Sequence, residues 1–126
     1  MLTIPNFTIS VTTSEAVVSG RLITAAGGYP DAVSDNVVGV SLVDTDSGKS
    51  CPVMVQGVAE VDYTSTAPSK GDTLVVSATD GKVAKSTTPS TVTVGNAIGI
   101  ALAAGANGKV LALINSSPYV GVATED

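Results

Sequence analysis

The chain has 126 residues, of which 44% are hydrophobic, 3% aromatic and 13% charged, with a net charge of −5. That length suits one domain with one modest core. Its six basic residues are scattered singly and form no phosphate-tracking patch, which argues against nucleic-acid binding, and no apolar run is long enough to span a bilayer.

No basic region followed by an apolar stretch opens the chain, so no signal peptide is expected. With one Phe, three Tyr and no Trp, the core must come from Val, Ile, Leu and Ala. Such side chains are small. The elements must therefore pack closely to bury enough area at roughly 25 cal/mol per Å². Abundant Thr, Ser, Val and Gly favour strands and turns over helices.

Residues 1–13 read as an extended N-terminal arm, and residues 14–126 as a single β domain. In the arm, Phe7, Ile9 and Val11 alternate with Thr8, Ser10 and Thr12, the period of a half-buried strand. Pro5 keeps the preceding residues extended. The arm either packs on its own domain or reaches a neighbouring subunit. Val17–Thr24 is a strand candidate, with Gly20 as a bulge or bend. Gly27–Asp31 reads as a turn.

Asn36-Val-Val-Gly-Val-Ser-Leu42 follows, with a turn over Val43–Gly48 and then Lys49. Asp44, Asp46 and Gly48 loosely resemble the start of a calcium loop, but the twelfth position from Asp44 is Val55 where a Glu is needed. An Asx-type turn is the expectation instead. Cys51 has no partner for an internal disulfide and reads as a small buried hydrophobe. Cys51–Asp62 is the longest strand candidate, with Gly57 breaking its register. Tyr63–Lys70 is a surface connection. Gly71–Ala78 forms a strand, and Asp80-Gly81 is the strongest hairpin signal in the chain. Ser86–Thr93 is an exposed loop or an edge strand protected by Pro89.

Asn96-Ala-Ile-Gly-Ile-Ala-Leu102, a small-residue turn ending in Asn107-Gly108, and Lys109–Asn115 make a second hairpin. It repeats the first: Asn36/Asn96, Gly39/Gly99, Leu42/Leu102, Gly48/Gly108 and Lys49/Lys109 share one offset of 60. Gly39 and Gly99 are expected to let backbone or a neighbouring side chain approach closely in a core without aromatics. This stretch is expected to be central and buried, with contacts to other molecules left to the arm and loops. A last short strand is expected over Ser116–Ala123. No segment carries a helical apolar stripe, and about ten strand candidates predict an all-β fold, a small barrel or sandwich built from two related halves.

The chain lacks the parts for most catalysis. Without His there is no Ser-His-Asp or Cys-His constellation and no histidine metal site. Asp44 with Asp46, or Glu60 with Asp62, could pair as glycosidase carboxylates, but the aromatics that line such clefts are scarce. Glu60 and Asp62 are expected on a solvated face. No catalytic residue, cofactor or metal is predicted. The Ser/Thr-rich, low-charge composition suits an exposed shell that binds protein.

The ordered run Gly71-Asp-Thr-Leu-Val-Val, Asp80-Gly-Lys-Val, Val94-Gly-Asn-Ala-Ile-Gly-Ile-Ala-Leu and Gly108-Lys-Val-Leu-Ala-Leu-Ile resembles the head-decoration, or capsid cement, proteins of tailed bacteriophages. Val38–Leu42 and Val53–Val61 resemble the family's first half. The resemblance implies a non-enzymatic β-rich protein, made in the host cytoplasm and carried on the outer surface of the virion. There it binds the major capsid protein lattice, commonly as a homo-oligomer with a trimer favoured, and stabilises the expanded head. It also implies that the arm makes contacts, so Phe7, Ile9 and Val11 are expected in an intersubunit or capsid interface. The alternative is a small β domain of a phage or bacterial surface fibre that binds host glycan or protein.

Overall fold

The computed structural model of the chain describes residues 3–32, 35–86 and 97–115, with the backbone alone for residues 3–6. The low-complexity run after Ser86 and the strand expected from Ser116 lie outside the described residues. Among those described there are eight strands and no helix: β1 (Thr3–Thr12), β2 (Leu22–Thr24), β3 (Val37–Ser41), β4 (Ser50–Asp62), β5 (Thr73–Val76), β6 (Val83–Lys85), β7 (Ala97–Ala101) and β8 (Lys109–Asn115). The expected all-β architecture is present. β2 is shorter than the sequence predicts, because Gly20 turns the chain at φ +80°. Its carbonyl accepts the Asp62 N–H at 3.0 Å.

All pairing between strands is antiparallel, in the order β2-β3-β4-β8-β7-β5-β6, with β1 on β4. The thirteen-residue β4 organises the sheet. β1 runs along it from Thr3↔Ala59 to Thr12↔Ser50. β3 pairs at Val53 and Met54, and β8 pairs from Gln56 to Asp62. A strand has only two edges, so β3 and β8 share the one that β1 leaves open and diverge near Gly57. The β1–β4 ladder has an extra residue at Asn6 and another at Val55, and these compensate so that the register is restored.

The sheet curls into a nearly closed barrel. Leu22 N–H of β2 donates to the Gly81 carbonyl beside β6 at 2.7 Å across the gap between the two ends, and Thr64 N–H, just after β4, donates to the Val83 carbonyl of β6 at 2.9 Å. Its interior is the main core, with Leu22, Val40, Met54, Val61, Leu74, Val76, Val83, Val110 and Ile114 fully buried. A smaller core lies outside β1, β4, β3 and β2. There Val11, Ile23, Cys51 and Val53 are sealed by Val17, Tyr29 and their neighbours.

Both tight hairpin turns follow from their residues. Asp80 and Gly81 take φ of 48° and 72°, and Asn107 and Gly108 take 55° and 80°. Consecutive positive φ values match the right-handed twist of the flanking strands.

The repeat is structural. Val40↔Met54 and Ser41↔Val53 in the first hairpin correspond to Ile100↔Leu113 and Ala101↔Ala112 in the second. The offset is 60 before the turn and 59 after it, so the single gap falls just beyond Lys49. Gly39 and Gly99 do the same work. A β-carbon on either would lie 2.2 Å from a carbonyl oxygen on the adjacent strand, that of Met54 or of Leu113. The close approach expected at these two glycines is therefore present.

Candidate contact surfaces

Of the carboxylates singled out for chemistry, Asp44 and Asp62 are engaged in structural hydrogen bonds. Asp44 Oδ1 accepts the Ser19 N–H at 2.9 Å, and the Asp46 carbonyl accepts the Thr13 hydroxyl at 2.6 Å. Among the described residues no group of three carboxylates, cysteines or histidines could hold a metal ion. Cys51 is fully buried in the smaller core, with Sγ 3.8 Å from the Val43 carbonyl.

Of Glu60 and Asp62, both expected on a solvated face, it is Asp62 that is withdrawn from solvent. The side chain of Asp62 is only 13% exposed, and its two oxygens each meet a cation at 2.6 Å, Arg21 Nε and Lys109 Nζ. Arg21 also donates to the Asp80 carbonyl at 3.0 Å, so this clasp ties β4, β8, the Gly20 turn and the β5–β6 turn together. Sequence spacing missed it because Arg21 and Lys109 lie 41 and 47 residues from Asp62. Burial alone pushes the Asp62 carboxyl up. Hydrogen bonds and charge from Lys109 and Arg21 outweigh that and hold it below the ordinary carboxylate value.

An open groove of about 450 Å³ lies between Ser14, Glu15, Tyr29, Asp31, Asp35 and Asn36. Two of its carboxylates serve the local backbone. Glu15 Oε2 accepts the Tyr29 N–H at 3.0 Å. Asp35 Oδ2 accepts the N–H groups of Asp31 and Ala32 at 2.8 and 3.1 Å.

The arm residues separate along β1. Val11 is sealed in the smaller core, Ile9 packs half-buried against it, and Phe7 is 55% exposed. Phe7 lies opposite Gln56, which lies opposite Asn115 on β8. Beside that polar row runs an apolar one, Val58–Leu113–Ile100, ending at Thr73. Leu102 continues it, its N–H bonded to the Leu111 carbonyl at 2.8 Å. Ile100, Leu113 and Leu102 are 45%, 43% and 37% exposed. The second hairpin is therefore not buried on both sides as expected: one face enters the core and the other lines the outside of the barrel. The run Val110–Ile114 is apolar at every position, and on a strand that makes both faces apolar. This was the signal available in the sequence.

The described residues thus form a nearly closed apolar barrel with exposed apolar surface and no group that could hold a metal ion. A family model for phage cement proteins matches residues 4–116. Comparison with curated proteins gives no match. Among solved structures, the crystal structure of the head fiber gp8.5 N base in bacteriophage phi29 is similar at TM-score 0.61 and 19% identity, covering 88% of this chain and 95% of that one. At that identity the likeness concerns the fold. The family match spans every described strand but the first residue of β1, so the chain belongs to the phage cement protein family, the structural proteins that decorate the outer surface of the virion capsid.

Proposed function

We propose that the chain binds the major capsid protein lattice from outside as a homo-oligomer, with a trimer the favoured form, and holds the expanded head against the pressure of packaged DNA. The family match over residues 4–116 carries this reading, because it includes both halves of the barrel. Multivalency supplies the strength: once one subunit is seated, the contacts of its mates become intramolecular. In the arm, Phe7 makes the intersubunit or capsid contact, Ile9 borders it, and Val11 anchors β1 beneath it. The protein carries out no chemistry.

The test is addition of purified protein to heads that lack it. Saturable co-sedimentation and heads that withstand a higher temperature are expected, with sedimentation velocity giving the oligomer. Heads that neither bind the protein nor gain resistance would overturn the reading. The fold likeness to a head-fiber base supports a second reading, in which this barrel seats a longer surface fibre. Copy number on purified virions separates the two, since cement is present at a stoichiometry close to that of the capsid lattice and a fibre far below it.

A further inference from the structure

The internal repeat relates the two halves with their faces exchanged. Leu22, Val40 and Met54 face the main core in the first half. Their counterparts in the second, Thr73, Ile100 and Leu113, face outward. Conversely, Ile23, Cys51 and Val53 of the smaller core correspond to Leu74, Val110 and Ala112 of the main core. The barrel is therefore a stack. The Gly20-side segment with Val17 and Tyr29 caps the outside of the first half, the main core joins the halves, and among the described residues no segment caps the outside of the second half. Val40/Ile100, Met54/Leu113 and Leu42/Leu102 are the pairs that show it. Val40 and Met54 are fully buried and Leu42 packs against the core, whereas each mate is more than a third exposed.

We infer that the bare face of β4, β8 and β7, centred on Ile100 and Leu113, is the surface that lies against the major capsid protein. Large apolar side chains stand at positions where solvent favours polar ones, and the same positions are covered in the first half. A second copy does not supply the matching cover. Its complementary face, the outside of its own first half, is already sealed by Val17 and Tyr29. The partner surface is an apolar patch with a polar rim to meet Gln56, Glu60, Thr73 and Asn115.

This assignment rests on the capsid-binding reading above. Its test is the double variant Ile100→Ser/Leu113→Ser, with Val18→Ser/Val43→Ser, exposed elsewhere on the barrel, as the control. Head affinity is measured by co-sedimentation, oligomeric state by sedimentation velocity and folding by thermal melting. The expected result is head binding weakened by about tenfold or more, as for central apolar anchors, with oligomer and melting temperature unchanged and the control binding normally. Undiminished binding by the double variant would overturn the assignment while leaving capsid binding intact. Loss of the oligomer instead would also overturn it and make this face a subunit interface. If the wild type fails to bind heads, the capsid-binding reading itself falls, and this assignment with it.

Discussion

Replacing Gly99 by Ala isolates one physical requirement of the barrel. A β-carbon at this position lies 2.2 Å from the Leu113 carbonyl oxygen and 3.3 Å from the Ile114 α-carbon. Ordinary contact begins at 3.4 Å, so β7 and β8 must separate by roughly 1 Å at Gly99↔Ile114. The obstruction is backbone, which cannot swing aside as a flexible side chain does. Overpacking of this kind costs about 1–3 kcal/mol, and a weakened ladder hydrogen bond about 1 kcal/mol more. For a domain of this size the sum lowers the melting temperature by about 10 °C. Gly108→Ala is the comparison. It has open space around the new carbon but a φ of +80°, so it carries backbone strain alone, about 1 kcal/mol. Thermal melting followed by circular dichroism reads both. If Gly99→Ala melts as high as Gly108→Ala, the close-approach argument is wrong. Gly39→Ala should behave like Gly99→Ala, with its new carbon 2.2 Å from the Met54 carbonyl oxygen.

The Asp62 clasp predicts an acid-dependent component of stability. A carboxyl held below its ordinary value stabilises the fold above the unfolded-state pKa, about 4, and loses that contribution as pH falls through the folded value. Asp62→Asn should therefore melt well below wild type at neutral pH and converge toward it in acid; a gap that stays constant with pH would dismiss the idea. The Cys51 thiol, sealed in the smaller core, should resist aromatic disulfide reagents in native buffer and react at once in denaturant, and rapid native labelling would contradict its placement. Phe7→Ser should leave melting within about 2 °C of wild type, because the ring is mostly exposed, while lowering oligomer stability or head affinity. If neither changes, Phe7 makes no contact.

The strand content was legible because the composition leaves few alternatives. Val, Ile and Thr alternate in Phe7–Thr12, Asp80-Gly81 and Asn107-Gly108 carry the chemistry of tight turns, and no helical stripe competes. The offset of 60 announced two related hairpins and pointed to Gly39 and Gly99 as places of close approach. All of this is encoded locally, within one strand or one turn, where neighbouring residues dictate backbone geometry.

Tertiary structure alone decided which face of each hairpin meets water. Val40 and Ile100 occupy equivalent positions in equivalent hairpins, yet one is sealed and the other is 45% exposed. The residues themselves do not differ in kind; what differs is the layer that folds over them from elsewhere in the chain. The same holds for Asp62, whose partners Arg21 and Lys109 arrive from distant parts of the chain, and for Val11, drawn into a core by segments beyond the arm. Periodicity fixes that a strand has two faces. Which of them is inside depends on long-range packing, and that is settled only when the barrel closes.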